Sequence, residues 1–187
     1  MTISRQTDRL NKLVEELGSL TLNTQSELES PSGIKLVFLD QLLIEAMSEF
    51  QFLIEKEERD VYIKVSLEYA RIQVDYDKLS RILVNLLNNA FKYSEPGTKI
   101  EVVAQIENQL LTISVKDEGQ GIAPEELENI FKRLYRVETS RNMNTGGYGL
   151  GLAIARDLAH QLGGDISVES QYGVGSTFTL SLYLNEK

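Results

Sequence analysis

The sequence has no cysteine, one histidine and no long apolar run. Without cysteine the chain cannot form disulfides or thiolate metal sites, and it has no cysteine nucleophile. A single histidine cannot build a metal site that needs several imidazoles. Runs such as Phe52-Leu53-Ile54 fall short of the ~20 residues that a membrane span needs, and no basic start leads into an apolar signal segment. We therefore expect a soluble, cytoplasmic chain with no membrane segment.

Length and charge narrow the class further. The 187 residues fit one domain with a small appendage, and a compact domain of this size buries roughly 70% of its unfolded surface. The chain has 28 acidic and 19 basic side chains, a net charge of −9. This balance argues against a nucleic-acid partner bound through bulk charge, although a locally basic pocket remains compatible with it.

Glycine is unevenly distributed along the chain. Ten of the 13 glycines lie between Gly119 and Gly175. A hydrophobic core does not require clustered glycines. Loops whose backbone closely approaches a ligand do require them, because glycine has no side chain. The second half of the chain is therefore the place to look for a binding site.

The first thirty residues are predicted to form a separate element. Ile3, Leu10 and Leu17 repeat every seven residues, which predicts a coiled-coil-like helix over residues 3–24. Its apolar stripe packs either on a helix of a second chain or back on its own domain. The Pro- and Gly-containing break at 29–33 places a domain boundary between residues 30 and 31.

Helices and strands alternate in the predicted domain 31–187. The apolar periodicity and the capping residues predict helices at 40–58, 76–93, 124–131 and 149–162, with Asp40 and Asp75 as N-caps of the first two. Alternating patterns predict strands at 34–39, 61–67, 72–74, 99–105, 110–116, 165–170 and 176–184.

The helix at 76–93 carries a polar stripe beside its apolar face. Asn85, Asn89 and Lys92 follow one another at i, i+4 and i+7. Asparagine is a poor helix former, so three asparagines within residues 85–89 need an explanation other than helix propensity. Amide oxygens are hard ligands that suit Mg²⁺, and lysine suits phosphate. The alternative is an ordinary solvated helix face.

Asp117-Glu-Gly119-Gln-Gly121 stands at the end of a predicted strand. A carboxylate in that position can accept a hydrogen bond from an exocyclic amine such as that of adenine, and the two glycines allow a sharp turn beneath a ring. An ordinary acidic turn is the competing interpretation of so short a pattern.

Two further glycine motifs follow. Gly146-Gly147-Tyr148-Gly149-Leu150-Gly151 leads into a predicted helix, where exposed amides and the helix dipole suit a phosphate; a flexible loop is the alternative. Gly173-Val-Gly175-Ser-Thr177 lies between the last two strands and is also compatible with a simple hairpin turn. Between the second and third motifs, residues 131–141 carry a local charge of +3, which suits a polyphosphate.

In order and spacing these motifs resemble, from about residue 31 onward, the ATP-binding domain of bacterial two-component sensor histidine kinases. That domain belongs to the superfamily shared with gyrase B, heat-shock protein 90 and the mismatch-repair MutL proteins. The resemblance implies the Bergerat-type fold of the α+β class. This fold is a two-layer α/β sandwich with a mixed five-stranded sheet covered on one face by three helices, preceded here by the coiled-coil-like helix.

The resemblance also implies roles for individual residues. Asn89 would coordinate Mg²⁺ with Asn85 nearby, and Asp117 would accept the adenine amine. The implied catalytic residues are Asn85, Lys92 and Arg136. The implied nucleotide contacts are Asn85, Asn89, Lys92, Tyr93, Asp117, Gly119, Gly121, Phe131, Tyr135, Arg136, Gly147, Gly149, Leu150, Gly151 and Thr177. Within this set, Phe131 and Tyr135-Arg136 resemble the family's phenylalanine box, and the loop at 132–146 resembles its ATP lid.

Two positions bear on the reaction. Asn85 stands where ATP-hydrolysing members of the superfamily have a glutamate that activates water, and an amide cannot act as a general base at neutral pH. The acceptor box, a histidine followed by an acidic residue and Thr-Pro, is absent. The only histidine, His160, lies in a predicted helix and matches no acceptor pattern, so we expect a structural or exposed helix residue.

The sequence thus predicts a protein-histidine kinase fragment: a catalytic domain that binds ATP or ADP with Mg²⁺, attached to half of a dimerisation and phosphoacceptor hairpin. The intact kinase, a phosphoprotein and homodimer, would pass the phosphoryl group to a response regulator, with no nucleic-acid partner, and could be anchored in the inner membrane. The alternatives are a non-enzymatic ATP-binding module, an ATPase clamp of the gyrase or MutL type, and a serine kinase of the anti-sigma-factor type.

Overall fold

The computed structural model describes residues 33–66, 70–137 and 148–184. The helix predicted at 3–24, the boundary predicted between residues 30 and 31, and most of the loop predicted at 132–146 lie outside these ranges. Among the residues that the structure describes, no helix combines the length and the apolar character that crossing a membrane requires.

Seven strands occur in the described residues: β1 (Ile34–Phe38), β2 (Asp60–Val65), β3 (Arg71–Asp75), β4 (Lys99–Glu107), β5 (Leu110–Asp117), β6 (Gly164–Gln171) and β7 (Gly175–Tyr183). Five of them form one sheet in the order β2-β4-β5-β7-β6, and β1 pairs with β3 in a separate antiparallel ribbon. Strand β2 runs parallel to β4, whereas the other pairs in the large sheet are antiparallel. The mixed five-stranded sheet is confirmed.

Four α-helices occur in the same residues: α1 (Leu39–Ser48), α2 (Gln51–Lys56), α3 (Tyr76–Tyr93) and α4 (Gly151–Gln161). The prediction of three helices is wrong, because two helices, α1 and α2, stand where a single helix was predicted at 40–58. The chain turns at Phe50, whose buried ring stacks on Phe91 with 4.7 Å between the ring centroids. The helix predicted at 124–131 is also too long, since only Pro124–Glu126 form a single 3₁₀ turn.

The predicted N-caps have different outcomes. Asp75 caps α3 as expected, its Oδ1 accepting a hydrogen bond from the Lys78 N–H at 3.1 Å. Asp40 is not the N-cap of α1. The helix begins one residue earlier, after Phe38, and Asp40 lies within its first turn. The Leu39 N–H is bonded instead to the Ala70 carbonyl at 2.9 Å, so a tertiary contact fixes this helix start.

The core lies between the large sheet and the helices on one of its faces. Alternate residues of the central strands are buried there, among them Val102, Ile113 and Leu180, while their neighbours Ser114 and Thr179 face the other side. The apolar face of α3 completes the core with Leu79, Leu83, Leu86 and Ala90, as its periodicity predicts. The two-layer α/β sandwich is therefore confirmed, and it carries the polar stripe of α3 at its edge.

Candidate functional site

The polar stripe of α3 presents two asparagines in different states. Asn85 donates from Nδ2 to the Arg81 carbonyl at 2.8 Å, and its Oδ1 faces Gly151. The Nδ2 of Asn89 is buried and has no hydrogen-bond partner among the described residues. Buried amides are normally satisfied, so this one marks Asn89 as a position where a polar ligand group could bind.

Lys92 and Tyr93 end the stripe. The Lys92 ammonium lies 3.0 Å from the Tyr93 hydroxyl and 4.6 Å from the centroid of its ring. The positive charge of Lys92 is thus held by one hydrogen bond and one cation–π contact, both with the neighbouring Tyr93.

Asp117 is the last residue of β5. It is only 4% exposed. Its Oδ1 accepts a hydrogen bond from the Gly119 N–H at 2.8 Å. Burial raises the pKa of the Asp117 carboxyl, while hydrogen bonds from the backbone N–H groups of Gly119 and Ser176 act in the opposite direction. A buried carboxylate so oriented is suited to accept a hydrogen bond from a ligand donor.

Two glycines let the chain pass beneath Asp117. A Cβ at Gly119 would collide with the Tyr93 carbonyl oxygen and would lie 2.7 Å from Asp117 Oδ1. Gly121 has a positive φ of 66°, and a Cβ there would collide with the Gln171 carbonyl oxygen. Neither position has room for a side chain, and the role expected of these glycines in shaping an adenine site stays a prediction.

Gly149 precedes α4, and Gly151, the first residue of the helix, faces Asn85 of the polar stripe. A Cβ at Gly151 would lie 2.9 Å from Asn85 Oδ1. Gly149 has a φ of 72° and touches the Tyr135 carbonyl oxygen, while its own carbonyl accepts from the Leu134 N–H at 2.9 Å. Leu150 is buried, so its side chain packs in the core and only its backbone could contact a ligand. Gly147 lies outside the described residues.

Phe131 and Tyr135, which resemble parts of the phenylalanine box, contact different elements of the structure. The ring of Phe131 stacks beneath the Arg156 guanidinium of α4, at 4.7 Å from the ring centroid. The Tyr135 hydroxyl donates to the carboxylate of Glu126, and Arg136 is half-buried. The structure thus places the Tyr135 backbone beside Gly149 and the Phe131 ring against α4.

The role expected of Thr177 stays a prediction, although its side chain lies on the face of β7 opposite the one that Asp117 shares. Asp117 pairs in register with Ser176, not with Thr177. Because side chains alternate along a strand, buried Ser176 shares the face of Asp117 whereas Thr177 faces away. Sequence reasoning missed Ser176, although the alternation set by buried Phe178 could have identified it.

His160 lies in α4 with its Nε2 2.9 Å from Asp165 Oδ1. Arg156 holds the same carboxylate with two hydrogen bonds of 2.8 and 3.1 Å and lowers the pKa of Asp165 to about 2. The exposed helix histidine expected from the sequence is confirmed. Its partner is Asp165, which forms an ion pair with Arg156.

Within the described ranges, no group of three or more His, Cys, Asp or Glu side chains could hold a metal ion. Amide oxygens are among the hard ligands that suit Mg²⁺, so the predicted role of Asn89 as its ligand is chemically reasonable and stays a prediction.

Solved structures define the class of this fold. Full-length ShkA in complex with AMPPNP superimposes with a TM-score of 0.82 at 24% identity, covering 97% of this chain and 37% of that one. Histidine kinase ThkA in complex with the response regulator protein TrrA gives a TM-score of 0.77 at 22% identity, covering 96% and 49%. The fold is that of histidine kinase catalytic domains.

The sequence matches place the chain in a family. Residues 74–186 match the histidine kinase-, DNA gyrase B- and HSP90-like ATPase family. Histidine protein kinase SaeS of Staphylococcus aureus is 40% identical over 182 residues, which are 96% of this chain and 51% of that protein. The chain belongs to the histidine kinase-, DNA gyrase B- and HSP90-like ATPase family, and it spans about half the length of its kinase relative.

Proposed function

We propose that this chain is the catalytic domain of a sensor histidine kinase, which binds ATP with Mg²⁺ and gives the γ-phosphoryl group to a histidine of a dimerisation domain. The observation that carries the proposal is the buried carboxylate of Asp117, against which the backbone of Gly119 and Gly175 packs closely. Support comes from the SaeS relative, which is named a histidine protein kinase, and from the AMPPNP bound by ShkA.

Asp117 would select the base. Its Oδ1 is already engaged by the Gly119 N–H, so the remaining acceptor capacity is free for the exocyclic amine of adenine. Because burial raises the pKa of Asp117, a donor that bonds the ionised form lowers it again on binding. A base that presents a carbonyl oxygen at that position would meet a carboxylate and be rejected.

The other end of the pocket would hold the phosphates. Mg²⁺, when bound, supplies charge neutralisation to the triphosphate. The chain contributes the Asn89 amide oxygen as a metal ligand and the Lys92 ammonium as a phosphate donor. The N-terminus of α4, freed of side chains by Gly151, adds backbone N–H groups and the positive end of the helix dipole. Arg136, implied as a further phosphate contact, lies at the edge of the described segment.

Asn85 favours transfer to a protein acceptor over hydrolysis. Its Nδ2 is bonded to the Arg81 carbonyl, so its oxygen points toward Gly151. An amide oxygen cannot take a proton from water at neutral pH. The histidine nitrogen, a nucleophile in its neutral form, would attack the γ-phosphorus, and the bond to the β–γ bridging oxygen would break to release ADP.

The acceptor histidine belongs to a domain for which residues 1–30 would supply one helix. We propose the division of the chain at residues 1–30 and 31–187, with homodimerisation through the first segment in the intact, phosphorylated kinase. A response regulator would receive the phosphoryl group, which is supported by the complex of ThkA with TrrA. The domain would work in the cytoplasm, where ATP is available.

A transfer assay in trans tests the function. The chain is incubated with γ-labelled Mg-ATP and the dimerisation domain of a SaeS kinase, with a His→Gln acceptor as the control. The proposal expects acid-labile, alkali-stable label on the acceptor and none on the His→Gln protein. Nucleotide binding without transfer would favour a non-enzymatic module, release of phosphate to water would favour an ATPase clamp, and acid-stable label would indicate a serine kinase.

A further inference from the structure

A serine hydroxyl on β6 joins three segments at the base end of the pocket. Ser170 Oγ accepts a hydrogen bond from the Ile122 N–H at 2.8 Å and donates to the Gly175 carbonyl at 2.9 Å. It lies 3.0 Å from the Ser176 hydroxyl. One donor and two acceptor positions are therefore all used, which is the full capacity of a hydroxyl.

Each of these partners adjoins Asp117. Ile122 ends the loop that passes through Gly119 and Gly121 beneath the carboxylate. Gly175 packs so closely on the Asp117 carbonyl that a Cβ there would collide with it. Ser176 pairs with Asp117 in register and bonds its carboxylate through the backbone N–H. The Ser170 hydroxyl thus ties the loop on one side of Asp117 to the strand on the other.

We propose that Ser170 is a positioning residue for recognition of the base. Its hydroxyl holds the Ile122 end of the loop and the Gly175–Ser176 backbone at a fixed separation, which sets the direction of the Asp117 carboxylate. The inference rests on the proposed nucleotide-binding function and deepens it. Ser170 acts through Asp117 and its neighbours, without contacting the nucleotide.

The substitution Ser170→Ala removes only the hydroxyl and keeps the Cβ, so the strand and the packing are retained. The Ile122 N–H and the Gly175 carbonyl, both partly buried, each lose a partner. We expect the affinity for Mg-ADP to fall about 5–20-fold, the size of one or two net hydrogen bonds. The affinity for Mg-IDP, which lacks the exocyclic amine, should change less than threefold, so the ADP/IDP preference narrows.

The chain offers a matched control in Ser167 on the same strand. Ser167 is exposed on the open face of the sheet, and its hydroxyl lies 3.5 Å from the Thr179 carbonyl. Ser167→Ala should leave both affinities within twofold of the wild type. Ser170→Thr keeps a hydroxyl and should restore most of the ADP preference.

Calorimetric titration of the full chain with Mg-ADP and Mg-IDP, beside thermal unfolding of each variant, decides the question. A narrowed ADP/IDP preference in Ser170→Ala, restored in Ser170→Thr, supports the inference. An unchanged preference, or an equal loss of both affinities, overturns it and leaves Ser170 a purely structural residue. A wild-type chain that binds neither nucleotide refutes the proposed function itself, so the two failures are distinguishable.

Discussion

The replacement of Arg59 by methionine should strongly destabilise the domain. Arg59 is a buried arginine, 6% exposed, between α2 and β2. Its Nη2 donates to the carbonyls of Phe91 and Ser94 at 3.1 and 2.8 Å, at the C-terminal end of α3. Its Nη1 donates to the Ser94 hydroxyl at 2.5 Å, and its Nε pairs with Glu57 at 2.7 Å. The guanidinium therefore satisfies helix-end carbonyls that have no intrahelical partner.

The magnitude follows from the groups that lose their donor. Each buried carbonyl left unsatisfied costs about 1–3 kcal/mol, and two are left. Methionine keeps the apolar stem of the side chain and removes the cost of burying a charge. We therefore expect the free energy of unfolding to fall by about 3 kcal/mol. This value lies at the lower end of the ~3–5 kcal/mol that is typical when one partner of a buried ion pair is removed. For a chain of this size the melting temperature should fall by roughly 6–12 °C.

Urea unfolding followed by circular dichroism measures the effect. Arg81→Met is the matched control, because Arg81 is exposed on α3 and its loss should change the free energy of unfolding by less than ~0.5 kcal/mol. Arg59→Lys should recover only part of the loss, since an ammonium cannot span the two carbonyls and Glu57 as a planar fork does. A loss of under ~1 kcal/mol in Arg59→Met would refute the assigned role.

Three further changes have defined outcomes. Gly119→Ala should abolish Mg-ADP binding in calorimetry, because its Cβ collides with the Tyr93 carbonyl; retained affinity would show that the loop is free to move. Gly151→Ala should weaken Mg-ADP binding only about 3–10-fold, since the atom it meets is the end of the Asn85 side chain; complete loss would contradict this. Asp165→Asn should lower the free energy of unfolding by at most about 1 kcal/mol at pH 7. Because the folded pKa of Asp165 is lowered to about 2, that difference should vanish in urea titrations as the pH falls from about 4 toward 2, and a constant difference would argue against the ion pair.

Local patterns in the sequence predicted most of the framework. The apolar periodicity of α3 and the alternation of β4, β5 and β7 agree with the structure because burial against one face decides these residues. The cap at Asp75 was predictable for the same reason, since an N-cap bond is made within four residues of chain.

The features that sequence reasoning missed all depend on contacts distant in the chain. The break at Phe50 is made by a ring forty-one positions away at Phe91. The start of α1 is set by the Ala70 carbonyl. Arg59 resembles any surface arginine until its partners in the turn after α3 are placed beside it. No local pattern contains such contacts.

In the candidate site, too, local motifs were predicted from the sequence whereas features that depend on distant contacts were not. The family resemblance supplied Asp117, Asn89 and the glycines, because their types and spacing are distinctive. It named Thr177 and not Ser176, because only the pairing of β7 with β5 shows which of the two side chains shares the face of Asp117. Strand register decides between the two residues, because a shift of one residue turns every side chain of the strand to the opposite face of the sheet.

The most direct test of the account is calorimetric titration of the wild-type chain and Asp117→Asn with Mg-ADP, with urea unfolding of both. The amide would turn a donor toward the adenine amine, so we expect at least ~100-fold weaker binding. Because burial raises the pKa of Asp117, its charge opposes folding at neutral pH, and the stability of Asp117→Asn should be unchanged or higher. Equal affinity in two equally folded proteins would contradict the assignment of this pocket as the nucleotide site.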